Sequence, residues 1–230
     1  MLLVRTVGSL GELFNFMDAV KLGETVLVEY SSPNYALDFS TLVLKRYAEK
    51  RGYAFVVDDN LDTLSLIREH LRLFGIEDVF SDAIVIKTGG VVNVGRVVER
   101  IKLEREPAIY LKRHENASKK VQTQYSKSIN VVLGLEKLFA FVDDYLSFYE
   151  IISSIERFLG NRNRKAFYLF DTRMGGMLHL NPLPVLENIA STILRVDVRE
   201  GRLVGRIHKS PNVEMMGWEV DAPLSELLRI

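Results

Sequence analysis

The stretch Leu22–Tyr47, LGETVLVEYSSPNYALDFSTLVLKRY, constrains the fold more than any other. Gly23-Glu24 turns the chain into Thr25–Tyr30, where Val26, Leu27 and Val28 form a short apolar run. Such a run suits a central parallel strand covered on both faces. After the loop, Asp38 is placed to cap a helix. Phe39, Leu42, Val43 and Tyr47 then fall near one helical face. Buried strand, loop and helix in this order give the layout of a phosphate-binding loop.

The residues that bind phosphate are missing from that layout. A working loop needs G-x-x-x-x-G-K-[ST]: glycines so that backbone amides curl round the phosphates, a lysine to neutralise them, a hydroxyl to hold magnesium. Here Tyr30–Leu37 reads YSSPNYAL, so Tyr30 and Tyr35 stand for the glycines, Ala36 for the lysine and Leu37 for the hydroxyl residue. No lysine lies between Lys21 and Lys45, and Pro33 removes an amide donor. Either an ordinary strand-to-helix loop or a rebuilt loop for another ligand is compatible with this pattern.

Composition narrows the classes. The 230 residues suit one α/β domain, expected to span 1–230. Thirty basic and 30 acidic residues cancel, so no global charge draws the chain to nucleic acid or anionic membrane. With no cysteine there is no disulfide framework, thiolate nucleophile or thiolate metal ligand. His70, His114, His179 and His208 are too scattered for a histidine-rich metal site. Met1–Val4 is interrupted by Arg5, and no apolar run approaches the ~20 residues of a membrane span. A cytoplasmic protein with no membrane contact and no metal is the expectation.

Along the chain, Ser9-Leu10-Gly11-Glu12 has capping-box spacing before Leu10, Leu13, Phe14, Met17 and Val20. Tyr53–Val57 is a second strand with Asp58-Asp59-Asn60 at its carboxyl end, where ligands bind in open α/β sheets. Asn60 is placed to cap a helix carrying Leu64, Ile67, Leu71 and Phe74. Ala83–Lys87 reads as a third strand, Val91–Arg105 as ambiguous, and Ala108–Leu111 after Pro107 as a strand candidate. Glu115–Ser126 is polar, a surface helix or loop, and Ile129–Leu133 is another buried strand. Asp143-Asp144 opens a helix bearing Tyr145, Phe148, Ile152, Ile155 and Leu159. Asn161–Lys165 reads as a solvated connector before strand Ala166–Phe170. A loop, DTRMGGMLHLNPLP, leads to a short helix, and Thr192–Arg199 with Arg202–Lys209 forms a hairpin around Glu200-Gly201. Met216–Val220 adds a last strand candidate, in which Trp218 is a core residue or a partner anchor.

Two segments carry a family resemblance. GETVLVEYSSPNYALDFSTLVLKRYAEKRGYAFVVDD resembles the first βαβ unit of archaeal KaiC-like ATPases, with the phosphate loop replaced. LENIASTILRVDVREGRLVGRIHKSP resembles their final helix and hairpin. The chain as a whole resembles a small archaeal family placed near these ATPases, over residues 13–221. The resemblance implies a RecA-like P-loop NTPase fold: a mostly parallel central sheet flanked by helices, with a C-terminal antiparallel hairpin. It also implies that strand Ile129–Leu133 should end in a magnesium-supporting aspartate. Gly134 stands there instead, and Glu136, two residues on, reads as a solvated surface glutamate or a displaced carboxylate. Asp58 and Asp59 fall where the family keeps its catalytic acid, and they read as helix caps or as cation ligands.

The leading functional expectation is a non-catalytic, pseudo-ATPase relative that binds a protein or peptide, with no cofactor and no catalytic residue. Tyr30, Ser31, Ser32, Asn34, Tyr35, Asp58, Asp59, Arg173, Met174 and Met177 are its candidate binding residues. Residues 171–179, with Gly175-Gly176, form either a mobile ligand-contacting loop or a plain loop packed by its methionines. The alternatives are a nucleotide-binding protein or enzyme with a rebuilt ATP and magnesium site, and a nucleic-acid module using Lys112, Arg113, Lys119 and Lys120. The resemblance makes a homo-oligomer plausible.

Overall fold

The computed structural model describes residues 6–31 and 33–229. Ser32, one of the candidate loop residues, and the Met1–Val4 run lie outside the described residues. In chain order the elements are β1 (Thr6–Val7), α1 (Leu10–Ala19), β2 (Thr25–Tyr30), α2 (Ala36–Arg51), β3 (Ala54–Asn60), α3 (Thr63–Leu73), β4 (Ile84–Thr88), β5 (Arg96–Ile101), α4 (Pro107–Gln124) and β6 (Ser128–Leu133). There follow α5 (Leu135–Phe139), α6 (Tyr145–Glu156), β7 (Arg164–Asp171), α7 (Thr172–Met177), α8 (Leu183–Ile189), β8 (Thr192–Arg199), β9 (Arg202–Lys209), β10 (Glu219–Pro223) and α9 (Leu224–Leu227).

All strands join one sheet in the order β1-β10-β9-β8-β2-β7-β6-β3-β4-β5. From β8 to β5 the pairings are parallel, while β8, β9 and β10 are antiparallel. The β2 strand sits between β7 and β8 and is buried along its whole length, as its apolar run requires. Alternate residues face opposite layers. Val26 and Val28 join a core with α1, α2 and α3, whereas Leu27 joins one with α4, α5, α6 and α8. Trp218 is half-buried against the first core. The β8–β9 turn has φ of 50° at Glu200 and 73° at Gly201, the left-handed pair of a primed hairpin.

Several expectations change in three dimensions. Residues 108–111 belong to helix α4, not a strand: Pro107 occupies the helix start, and Tyr110, Ala117 and Val121 are buried at helical spacing. The segment 161–165 is no solvated connector, because Arg164 and Lys165 begin β7 and are 5% and 4% exposed. Lys165 donates to Met17 O (2.8 Å) and to the Tyr47 hydroxyl (2.9 Å). Residues 172–177 form helix α7 rather than a loop, capped by Asp171 accepting from the Arg173 and Met174 amides (2.9 and 3.2 Å). Asp38 is not the cap of α2; Tyr35 holds that position and Asp38 lies buried in the first turn. Asn60 does not cap α3 either. It remains in β3, and its side-chain amide donates to Leu133 O (2.8 Å), tying β3 to β6. The last strand begins at Glu219, after a 3₁₀ turn over Val213–Met215.

Candidate functional site

The carboxyl edge of the sheet gathers the candidates from two segments. Tyr30 and Asp171 are register partners at the ends of β2 and β7, so the loop after Tyr30 lies beside α7. The Thr172 hydroxyl donates to Tyr30 O (3.2 Å). Asn34 fastens the loop to β8, its amide donating to Asp197 Oδ1 and to Val198 O (both 2.5 Å). Tyr35 has φ of 64°, a left-handed conformation that costs a bulky residue of order 1 kcal/mol or more. Its ring stays 42% exposed and stands edge-on to His70 (5.4 Å) and Phe74 (5.0 Å). Ser31, Arg173 and Met177 are exposed, and Met174 is half-buried. The structure thus brings Tyr30, Asn34, Tyr35, Arg173, Met174 and Met177 to one edge.

Carboxylates surround Tyr30. Asp38 is buried with Oδ1 2.8 Å from His70 Nδ1; burial pushes its carboxyl up, and His70 pulls against that. Burial, then the charges of Glu136, Asp171 and Asp38, push the Tyr30 hydroxyl far above its usual range. Glu136, read from sequence as solvated or displaced, is 3% exposed in α5, and its Oε2 has no hydrogen-bond partner among the described residues. Burial raises its carboxyl to about 7, against the pull of its own backbone amide and Lys137. Arg173 lies 3.5 Å from Asp171 and offsets part of the acidity.

Asp58 and Asp59 point to opposite faces of the sheet and share no ligand position. Asp59 accepts from the Leu64 amide (2.9 Å), at the start of α3, and from Lys87 Nζ (2.7 Å). Lys87 is fully buried and also lies 2.5 Å from Asp62, whose carboxylate accepts from the Val91 and Val92 amides. This chain of bonds holds the turn where Leu61 and Asp62 have φ of 54° and 60°. On the other face, Asp58 accepts from Asn130 (3.0 Å) and lies 3.1 Å from His114 Nε2. Burial works to raise the Asp58 carboxyl; His114, Asn130 and Arg164 outweigh it and hold it below the usual carboxylate range. The cavity that these residues border with Tyr168 and Ile155 is about 40 Å³, room for water rather than a nucleotide. Among the described residues no group of three or more His, Asp or Glu is arranged to hold a metal ion.

Lys112, Arg113, Lys119 and Lys120 do share the outer side of α4. Two of them are already engaged. Lys112 (3.5 Å), Lys119 (2.5 Å) and Arg157 (3.2 Å) converge on Glu115, and the Lys119 hydrogen bond, with Lys112, holds its carboxyl down at about 2 against burial.

Sequence reading does not show where three residues that shape these surroundings point. His114 follows Tyr110 by one helical turn and precedes Ala117 by another, a spacing that would have placed it inward had 107–124 been read as one helix. Lys87 stands where strand alternation demands an inward residue, but lysine itself gives no such signal. Glu136 is marked by its place just after β6, but nothing local tells that it is buried.

Comparison with known proteins follows the geometry. No curated protein matches the chain. A Pyrococcus horikoshii OT3 protein, PH0250, is similar in structure with a TM-score of 0.74 at 26% identity, covering 89% of this chain and 95% of that one. A KaiC-like protein from the same organism, PH0186, superposes with a TM-score of 0.60 at 14% identity, covering 86% and 85%. The second likeness concerns the fold alone: an α/β sheet, mostly parallel, closed by antiparallel C-terminal strands, as in KaiC-like proteins. No described helix is long and apolar enough to cross a membrane. Residues 15–221 match the family described as Pyrococcus protein of unknown function, DUF257, and the chain belongs to that family.

Proposed function

We propose that the chain is a non-catalytic RecA/KaiC-like protein that binds a protein or peptide at the carboxyl edge of its sheet. The observation that carries this reading is Tyr35. A strained left-handed tyrosine occupies the loop where relatives curl glycines round phosphate, and it holds its ring at the surface. Backbone strain of this kind concentrates at functional positions, and tyrosine is a frequent anchor of protein interfaces. The ring partner of Tyr35, Phe74, is 36% exposed and is followed back along α3 by Leu73 at 82%, giving apolar contact area round the anchor. The carboxylates of Asp38, Glu136 and Asp171 oppose a triphosphate there, so the loop favours a partner over a free nucleotide.

The test is Tyr35→Gly. Glycine accepts the left-handed conformation without strain, which offsets the lost ring contacts, so stability should stay within ~1 kcal/mol of wild type. Partner capture from cell extract, compared by mass spectrometry, should nevertheless fall. Capture that is unchanged in the stable variant would sink the assigned surface.

A second reading, a rebuilt nucleotide site, draws on Glu136, a buried carboxylate just after β6 whose Oε2 has no partner among the described residues. Titration calorimetry with ATP, GTP and ADP, with and without magnesium, separates the two. Magnesium-dependent binding that Glu136→Gln abolishes would favour the nucleotide site, and silence at millimolar ligand would retire it.

A further inference from the structure

The helical layer on the far side of the sheet carries a face whose partner is best supplied by the chain itself. Helices α4 and α6 run parallel. The Ala108 amide donates to Glu150 (3.2 Å), and seven residues further along both helices Glu115 meets Arg157 (3.2 Å). Between them lies a groove of about 480 Å³, floored by Leu111 and Ser154. Along its rim stands a ridge that an isolated chain leaves in water: Tyr145 is 72% exposed, Leu146 74% and Tyr149 52%. Neighbouring Phe141 and Ile109 are 66% and 45% exposed. A cluster of large apolar side chains at such exposure marks an interaction surface rather than scattered surface residues.

Charge identifies the occupant. Asp143 and Asp144 lie at the amino end of the face, where Asp144 caps α6. Toward the carboxyl end Lys112, Arg113, Lys119, Lys120 and Arg157 outnumber Glu115, which binds Lys112, Lys119 and Arg157, and the exposed Glu156, so that end keeps a positive excess. The face is therefore acidic at one end, basic at the other and apolar between. A second copy turned by a two-fold axis near Tyr149 would set its acidic end against this basic end and run its α6 antiparallel. It would also seat the Leu146 ridge of each copy in the groove of the other, the reciprocal contact that a two-fold interface requires. We propose that the α4–α6 face is a homodimer interface of this antiparallel geometry. It is independent of the partner surface around Tyr35, which lies at the sheet's carboxyl edge.

The 12 residues of α6 give a face about 18 Å long and, over two helices, about 20 Å wide, or about 400 Å² per copy. Stable complexes bury about 800 Å² per partner, so the dimer is expected to be weak and to form with rising concentration. Sedimentation equilibrium of the full chain from about 10 µM to about 500 µM tests it. The expected result is a monomer–dimer equilibrium that Leu146→Glu weakens at least about tenfold, with the circular dichroism spectrum unchanged. Added salt should weaken it as well. Tyr149→Ala, a milder change at an exposed position, provides the check should Leu146→Glu disturb folding. A monomer at every concentration, or a dimer indifferent to both substitutions, overturns the interface. A dimer indifferent to salt overturns the antiparallel charge pairing.

Discussion

Glu136→Gln should stabilise the protein, and by an amount that depends on pH. In the folded chain burial raises the Glu136 carboxyl from 4.5 to about 7. Between those values the folded protein keeps a proton that the unfolded chain releases, so raising the pH draws the equilibrium toward the unfolded state. Stability associated with this residue is fully present below pH ~4.5, falls as pH rises toward ~7, and is level above that. A rise of about 2.5 pH units at about 1.36 kcal/mol each amounts to roughly 3 kcal/mol. Glutamine carries no charge at any of these pH values and loses none of it. Urea unfolding of both proteins from pH 4.5 to 8.5 should give curves that meet near the acid end and part by roughly 3 kcal/mol at the alkaline end. In a chain of 230 residues that difference corresponds to about 6–12 °C in Tm. Parallel curves, differing by a constant or by under ~0.5 kcal/mol throughout, would refute the claim that a buried carboxyl without a full set of partners charges here at neutral pH.

Two further substitutions test how the carboxyl ends of the strands are held. Lys87→Met leaves Asp59 buried and without its cation, and should cost about 3–5 kcal/mol in urea unfolding; adding Asp59→Asn should return most of it. Gly134→Ala puts a Cβ within 2.7 Å of Asn60 O at a φ of 67°, so a loss of roughly 2 kcal/mol or more is expected in thermal unfolding. Full stability in Gly134→Ala would mean that the β6–α5 turn can move away from β3.

Much of the sheet was legible because its strands announce themselves locally. Thr25–Tyr30, Thr192–Arg199 and Arg202–Lys209 were read with the boundaries found in the structure, since burial on both faces, or a primed turn, leaves a mark in consecutive residues. The first turns of helix α4 were not legible, because their inward residues are diluted among lysines and the start, PAIYL, is as apolar as a strand, whereas Glu115–Ser126 was open to a helix. The buried charges were not legible either. Arg164, Lys165, Lys87 and Glu136 are residue types usually found in water, and each is buried beside groups far away in sequence. The strain at Tyr35 likewise gave no sign, since tyrosine is not a residue that turn chemistry favours there.

By itself, then, the sequence determined the central strands and the C-terminal hairpin, the missing glycines and lysine of the loop after Tyr30, and the likeness to KaiC-like proteins. These depend on short-range pattern: which residues alternate, which repeat each helical turn, which are absent at a fixed spacing. Only the tertiary structure decided that Asp58 and Asp59 face away from each other, that Glu136 is buried beside Tyr30, and that α4 and α6 leave an apolar ridge outward. Those facts depend on which strand lies beside which, and a carboxylate's surroundings are set by neighbours that the chain reaches only after crossing the sheet.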